Sequence, residues 1–183
     1  MKVVLGITGS SGAVYALDFL KQSKAEKYLV ISKWGKALMK DELGLTEKDL
    51  QPYVKRQFSN DDLTAPIASG SNRIDACIIL PCSTSTLGKI ASGIGDTLIT
   101  RAAQVAMKER FKLILCIRET PLSTVSLEQC ARLSQYGVVV MPISSPLYFV
   151  PKTVHEYVAA FTDKLLGVIG ERKSKGLRNE ELE

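Results

Sequence analysis

The stretch MKVVLGITGSSGAVYALDFL, residues 1–20, decides how the rest of the chain is read. An apolar run over residues 3–7 leads into small residues, and apolar positions resume at helical spacing over 13–20. That pattern predicts strand, tight turn, helix. Gly6, Gly9 and Gly12 permit positive φ and close backbone approach. The N-terminal end of the helix favours negative charge, and Ser10 and Ser11 add hydroxyl donors. The turn therefore reads either as a packing turn or as a seat for a phosphate. Its Gly-x-x-Gly-x-x-Gly spacing is loosely that of a dinucleotide fingerprint, which also wants an acidic residue about 20 positions on. The second apolar run, YLVIS, ends in Ser32, Lys33 and Trp34 with no carboxylate, which weakens an NAD reading.

Outward from this unit, apolar runs recur at residues 28–31, 77–80, 113–117 and 138–141, with helical patterns between them at 13–22, 33–43, 86–91, 97–110, 126–136 and 154–169. Alternation of this kind, with strands apolar on both faces, predicts a mostly parallel sheet covered by helices on each side. The expected fold class is α/β, a Rossmann-like or flavodoxin-like three-layer sandwich. Two stretches resist the pattern. Residues 53–73, YVKRQFSNDDLTAPIASGSNR, form a long polar connection, which in a compact domain is usually functional or faces a partner. Residues 171–183 form a charge-dense tail expected to extend into solvent, leaving 1–170 as one domain.

The composition narrows the function. The chain has 183 residues, 45% of them hydrophobic, enough for one full core. Its net charge of +5 comes from scattered residues and only 7% are aromatic, which argues against a nucleic-acid surface. No apolar stretch approaches the ~20 residues of a membrane span and no basic leader precedes the first apolar run, so a cytoplasmic protein is expected. Cys77, Cys82, Cys116 and Cys130 lack CxxC spacing and read as buried thiols. A His-rich metal site or a Ser-His-Asp triad would rest entirely on His155, and no metal is expected. Trp34 reads equally as core or as cover for an apolar ligand surface.

In an open parallel sheet ligands gather beyond the carboxyl ends of the strands. There the sequence places Thr8 to Gly12, Ser32 and Lys33, then Pro81, Cys82, Ser83, Thr84, Ser85 and Thr86, then Arg118, Glu119, Thr120 and Pro121. Hydroxyls from three loops and a guanidinium from a fourth suit a phosphorylated, ring-bearing cofactor better than a metal. Ser83 to Thr86 read alternatively as a helix cap. Arg101 and Lys108 stand two turns apart on one helix face, where they read as a solvated basic stripe or as a phosphate grip.

The segments GITGSSG, ISKWGKALMKDE, ASGS, PCSTSTLGKIASGIGDTLITRAAQVAMKER, IRETPLS and PLYFVPKT, in that order, resemble the flavin prenyltransferase family, the UbiX/Pad1 group once described as aromatic acid decarboxylases. The similarity runs from Lys2 to about Gly167. It implies a metal-independent enzyme that binds FMN without covalent attachment and transfers a dimethylallyl group from dimethylallyl phosphate to reduced FMN. The product, prenylated FMN, would serve a UbiD-type decarboxylase. The resemblance also implies trimers packed into a dodecamer, with the active site at subunit contacts.

By the same resemblance Gly9, Ser10, Ser11, Ser32, Ser83, Thr84, Ser85, Thr86 and Arg118 would contact FMN. An arginine near the flavin pyrimidine edge can stabilise the negative charge of the reduced ring. Arg101, Lys108, Tyr148 and Lys164 would hold the phosphate of the prenyl donor. Glu42 and Glu119 match the acidic active-site positions, so Glu42, Glu119, Lys108 and Arg101 form the expected catalytic set. A carboxylate there can stabilise allylic cation character or take the ring proton. Absent the family, Glu42 reads equally as a surface charge or a site carboxylate, and Glu119 equally as an ion-pair partner of Arg118 or a site carboxylate. Two departures stand out. Relatives commonly carry arginine at the position of Lys164, and Tyr-His-x-Pro where this chain has Tyr148, Phe149, Val150 and Pro151. Competing expectations are an FMN-dependent cysteine decarboxylase, whose catalytic histidine and Asn-bearing motif are missing here, and a nonenzymatic flavin carrier.

Overall fold

The computed structural model describes residues 1–148 and 150–172. Its strands are β1 (Lys2–Ile7), β2 (Glu26–Ile31), β3 (Arg56–Ser59), β4 (Ala76–Cys82), β5 (Lys112–Ile117) and β6 (Val139–Val140). Its α-helices are α1 (Ala13–Gln22), α2 (Lys33–Leu43), α3 (Thr84–Ala91), α4 (Leu98–Lys108), α5 (Thr124–Gln135) and α6 (Val154–Ile169). All recorded strand pairs are parallel, in the order β3-β2-β1-β4-β5-β6. This is the Rossmann order and not the flavodoxin one, and it puts the reversal of winding between β1 and β4. A crevice opens where successive crossovers leave in opposite directions, so the loops after β1 and β4 face a common space.

Both faces of β1 are buried, and its side chains alternate between two cores. Val3, Leu5 and Ile7 join Phe19, Leu20, Phe161 and Leu165 of α1 and α6 on one face. Val4 joins Leu87, Leu98, Ala102 and Leu133 of α3, α4 and α5 on the other. Helices α1, α2 and α6 have the boundaries that their apolar spacing predicts.

Several boundaries differ from expectation. Strand β3 lies inside the stretch read as an irregular connection. It is a sheet edge with Phe58 its only fully buried side chain, so it lacks the apolar run that marks the inner strands. That stretch also contains the end of one 3-10 helix, Glu47–Tyr53, and all of another, Pro66–Ala68. Strand β4 does not stop at Leu80 but continues through Pro81 to Cys82, with a register shift between Ile79 and Cys82 that absorbs the missing proline N–H. Helices α3 and α5 each begin two residues earlier than expected, because Ser83 and Ser123 cap them. Helix α4 is shorter at both ends than the expected 97–110, and β6 is cut to two residues. Of the charged tail, all but Glu171 and Arg172 lies outside the described residues.

Candidate functional site

The four inner strand-end loops are tied to one another by hydrogen bonds. The Thr8 hydroxyl donates to the Pro81 carbonyl at 2.8 Å and accepts from the Ser83 N–H at 2.8 Å, joining the loops after β1 and β4. The Ser10 hydroxyl donates to the Arg118 carbonyl at 2.6 Å, and Arg118 Nε donates back to the Ser11 carbonyl at 3.3 Å. Ser32 N–H donates to the Ile7 carbonyl at 2.9 Å, which brings in the loop after β2. The sequence places Thr8 among the strand-end residues without a role of its own; its burial beside Gly9 is what lets it bridge two loops.

These bonds sort the expected donors. Ser10 is buried and its proton is committed to a carbonyl, so it is a brace and not a free donor. Ser11 is exposed at the turn. Ser32 and Ser83 are the N-caps of α2 and α3, accepting from Gly35 and Thr86 N–H at 3.0 and 3.3 Å. Capping and ligand binding are compatible, because a hydroxyl that accepts from the helix keeps its own proton to donate outward. The Thr86 hydroxyl lies 3.0 Å from that of Ser83. Thr84 and Ser85 follow the cap with N–H groups that α3 itself cannot satisfy.

Glu42 alters the reading of the first turn. Its carboxylate accepts from Gly12 N–H at 3.1 and 3.0 Å and from Ala13 N–H at 2.8 Å. It therefore fills the anion seat at the start of α1 that the glycine pattern suggested for a phosphate, and interacts favourably with the helix dipole. Gly12 holds φ 115, a left-handed conformation that admits this approach. The donors left for an external phosphate lie at Ser11, at Ser32 and at the start of α3.

Around this crevice stand three further groups. Trp34 is 68% exposed, so it is not core, and its Cβ would lie 2.4 Å from a Cβ placed on Gly9. The two terminal guanidinium nitrogens of Arg118 have no protein partner among the described residues. Glu119 is exposed and accepts from Thr120 N–H at 3.1 Å, and no ion pair joins it to Arg118 among the described residues. Cys82, directly before Ser83, is fully buried, and burial drives its thiol well above the ordinary range, so it is no nucleophile. Cys77 and Cys116 are also buried, whereas Cys130 is only half-buried.

The four groups expected on the donor phosphate are not gathered by one chain. Arg101 and Lys108 lie on α4, which covers one face of the sheet. Lys164 lies on α6, which covers the other, and Tyr148 is in the loop that leads into α6. Arg101 Nε donates to the Ala68 carbonyl at 3.1 Å, and Lys108 is paired with Glu109. Asn60, unnoticed in the sequence, sets the start of α4: its carbonyl accepts from Leu98 N–H at 2.7 Å and its side chain from Ile99 N–H at 3.1 Å.

The Flavoprotein family profile matches residues 1–164. Flavin prenyltransferase UbiX of Thermoplasma acidophilum is 43% identical over 171 residues, 93% of this chain and 95% of that protein. Among solved structures, AnUbiX (PadA1) in complex with FMN and dimethylallyl pyrophosphate matches with a TM-score of 0.92 at 31% identity, covering 100% of this chain and 98% of that one. A dodecameric FMN-dependent UbiX-like decarboxylase from Escherichia coli O157:H7 matches at a TM-score of 0.90 and 36% identity, over 97% and 100% of the two chains.

Proposed function

The chain belongs to the Flavoprotein family and, within it, to the flavin prenyltransferases, and from that premise we propose that it transfers a dimethylallyl group from dimethylallyl phosphate to reduced FMN. The observation that carries this reading is the interlocked set of strand-end loops at the β1/β4 switch point, in a chain that matches an FMN- and prenyl-donor-bound relative from end to end. FMN, when bound and reduced, supplies the ring that accepts the allyl group. The residues at the crevice fit it: hydroxyls and helix N–H groups on one side, a guanidinium with open nitrogens on another, and an exposed indole at the rim.

In this proposal Ser11, Ser32 and the 83–86 loop, with the first N–H groups of α3, hold the FMN phosphate and orient the ring. Gly9 leaves room for Trp34 to pack over the turn, and Ser10 keeps the turn in register with Arg118. The Arg118 guanidinium balances negative charge on the reduced ring. Arg101, Lys108, Tyr148 and Lys164 hold the donor phosphate, so that charge building on the leaving oxygen as the allylic C–O bond breaks is met by cations. Lysine at 164 keeps the charge but forgoes a bidentate fork. Glu42 and Glu119 face the developing allylic cation, and Glu119 or the departing phosphate takes the ring proton.

Since α4 and α6 sit on opposite faces, we propose that neighbouring subunits complete each site, in the trimer-based dodecamer expected of the chain; the dodecameric relative supports this. Among the described residues no helix is long and apolar enough to cross a membrane, and we place the enzyme in the cytoplasm, handing prenylated FMN to a UbiD-type decarboxylase. Anaerobic incubation with FMN, a reductant and either dimethylallyl phosphate or the pyrophosphate, followed by mass spectrometry of the extracted flavin, tests the reading. A flavin heavier by one C5H8 unit is expected. Unmodified FMN with both donors would overturn it.

A further inference from the structure

The long polar stretch, residues 53–73, builds most of a cavity of about 520 Å³, within the size range of small-ligand sites, at the amino-terminal edge of the sheet. Strand β1 separates it from the strand-end crevice by roughly 17 Å, at ~3.4 Å per residue. Lys2, Lys55, Arg56 and Arg73 line it, and no carboxylate does. Glu26, just outside, is paired with Lys55 at 2.7 Å, and Asp75 accepts the Lys2 backbone N–H at 2.7 Å. Among the described residues no ion pair takes the Lys2 ammonium, Arg56 or Arg73. Cations gathered in a concave, partly apolar wall focus positive potential into it.

One wall is also aromatic. The Arg56 guanidinium lies 4.7 Å over the Phe58 ring, which stacks at 6.4 Å against Tyr28. A guanidinium backed by a ring is held in place and still offers N–H edges to an anion and a face to a second planar group. Asn72, which also lines the cavity, donates its amide N–H to the Pro66 carbonyl at 2.9 Å and so ties two parts of the wall together. Cations for phosphates and a planar stacking surface occur together.

We propose that this cavity is a second ligand site, which takes a phosphorylated planar molecule of nucleotide type, its phosphates on Lys2 and Arg73 and its ring against Arg56. The proposal is independent of the chemistry at the strand-end crevice. Titration calorimetry on the native assembly saturated with FMN, with ADP and inorganic pyrophosphate as probes at low ionic strength, tests it. ADP is expected to bind, pyrophosphate at least tenfold more weakly, and Arg56→Ser and Arg73→Ser each to weaken ADP at least tenfold with FMN content and melting temperature unchanged. Lys2→Ser serves if either variant melts early. Three results would each overturn the proposal: no heat with ADP, as when another subunit covers the cavity; equal affinity for pyrophosphate and ADP; or ADP binding that survives in the variants.

Discussion

Glu119 follows a guanidinium that braces the first turn, yet among the described residues its own carboxylate reaches only the next backbone N–H. A residue with so little structural attachment is well placed to act on substrate. Glu119→Gln is expected to lower single-turnover prenylation by ~100-fold to 10,000-fold, the range of general acid–base contributions, with FMN affinity and melting temperature little changed. A normal rate in that variant would strike Glu119 from the catalytic set. Buried thiols give a second test at this scale. In the unfolded chain Cys77 ionises near 9.0, whereas burial pushes the folded thiol up to about 12. Above the unfolded value the open chain releases a proton that the native one retains, so stability falls as pH rises through this window and is unaffected below it. Cys77→Ala should shrink the drop in urea midpoint between about pH 8 and about pH 10.5; an unchanged drop would show that the thiol is not held protonated. Residue identity told much here, since the Cys residues named the buried thiols Cys77, Cys82 and Cys116, and Ser83 a helix cap, while the caps at Ser32 and Ser123 were not read. Partners told the rest: nothing in the order of letters reveals that Ser10 spends its proton on Arg118 or that Glu42 reaches back to Gly12.

At the scale of elements, the turn after β1 and the first turn of α2 are pressed together at Gly9 and Trp34. Gly9→Ala puts a methyl 2.4 Å from the Trp34 Cβ, closer than atoms can sit, so one loop must move. Overpacking of this kind typically costs ~1–3 kcal/mol. A lower melting temperature together with weaker FMN binding is expected; wild-type values for both would show that the two turns do not meet. The inner strands and three helices were readable because burial on both strand faces, or on one helix stripe, writes a regular apolar period. Strand β3 escaped notice because an edge needs only one buried side chain, Phe58. The end of β4 was misread for a related reason: Pro81 normally terminates an inner strand, and only a register shift, invisible in sequence, lets it continue.

For the whole molecule, the two-faced arrangement of α4 and α6 makes a prediction about assembly. Arg101→Ala and Lys164→Ala should each be nearly inactive alone. Co-expressed in equal amounts, they should recover about a quarter of wild-type turnover if each site draws these two residues from different subunits, since random mixing supplies both intact at that frequency. No recovery would mean that one chain provides both. Such sharing is only partly legible in sequence, where residues that meet across subunits look like scattered surface charge. The sheet order carries another consequence, one of timing. Strand β1 has β2 on one side and β4 on the other, and the latter begins only at Ala76. At about 5–20 residues per second, synthesis leaves roughly 2 to 9 seconds between completion of β2 and arrival of β4. Throughout that interval an almost wholly apolar strand, with Val3, Val4, Leu5 and Ile7 at 1% exposure or less in the finished protein, has one hydrogen-bonding edge open on the ribosome. A chain released early, between residues 32 and 75, keeps that edge for good and is bound for aggregation or degradation.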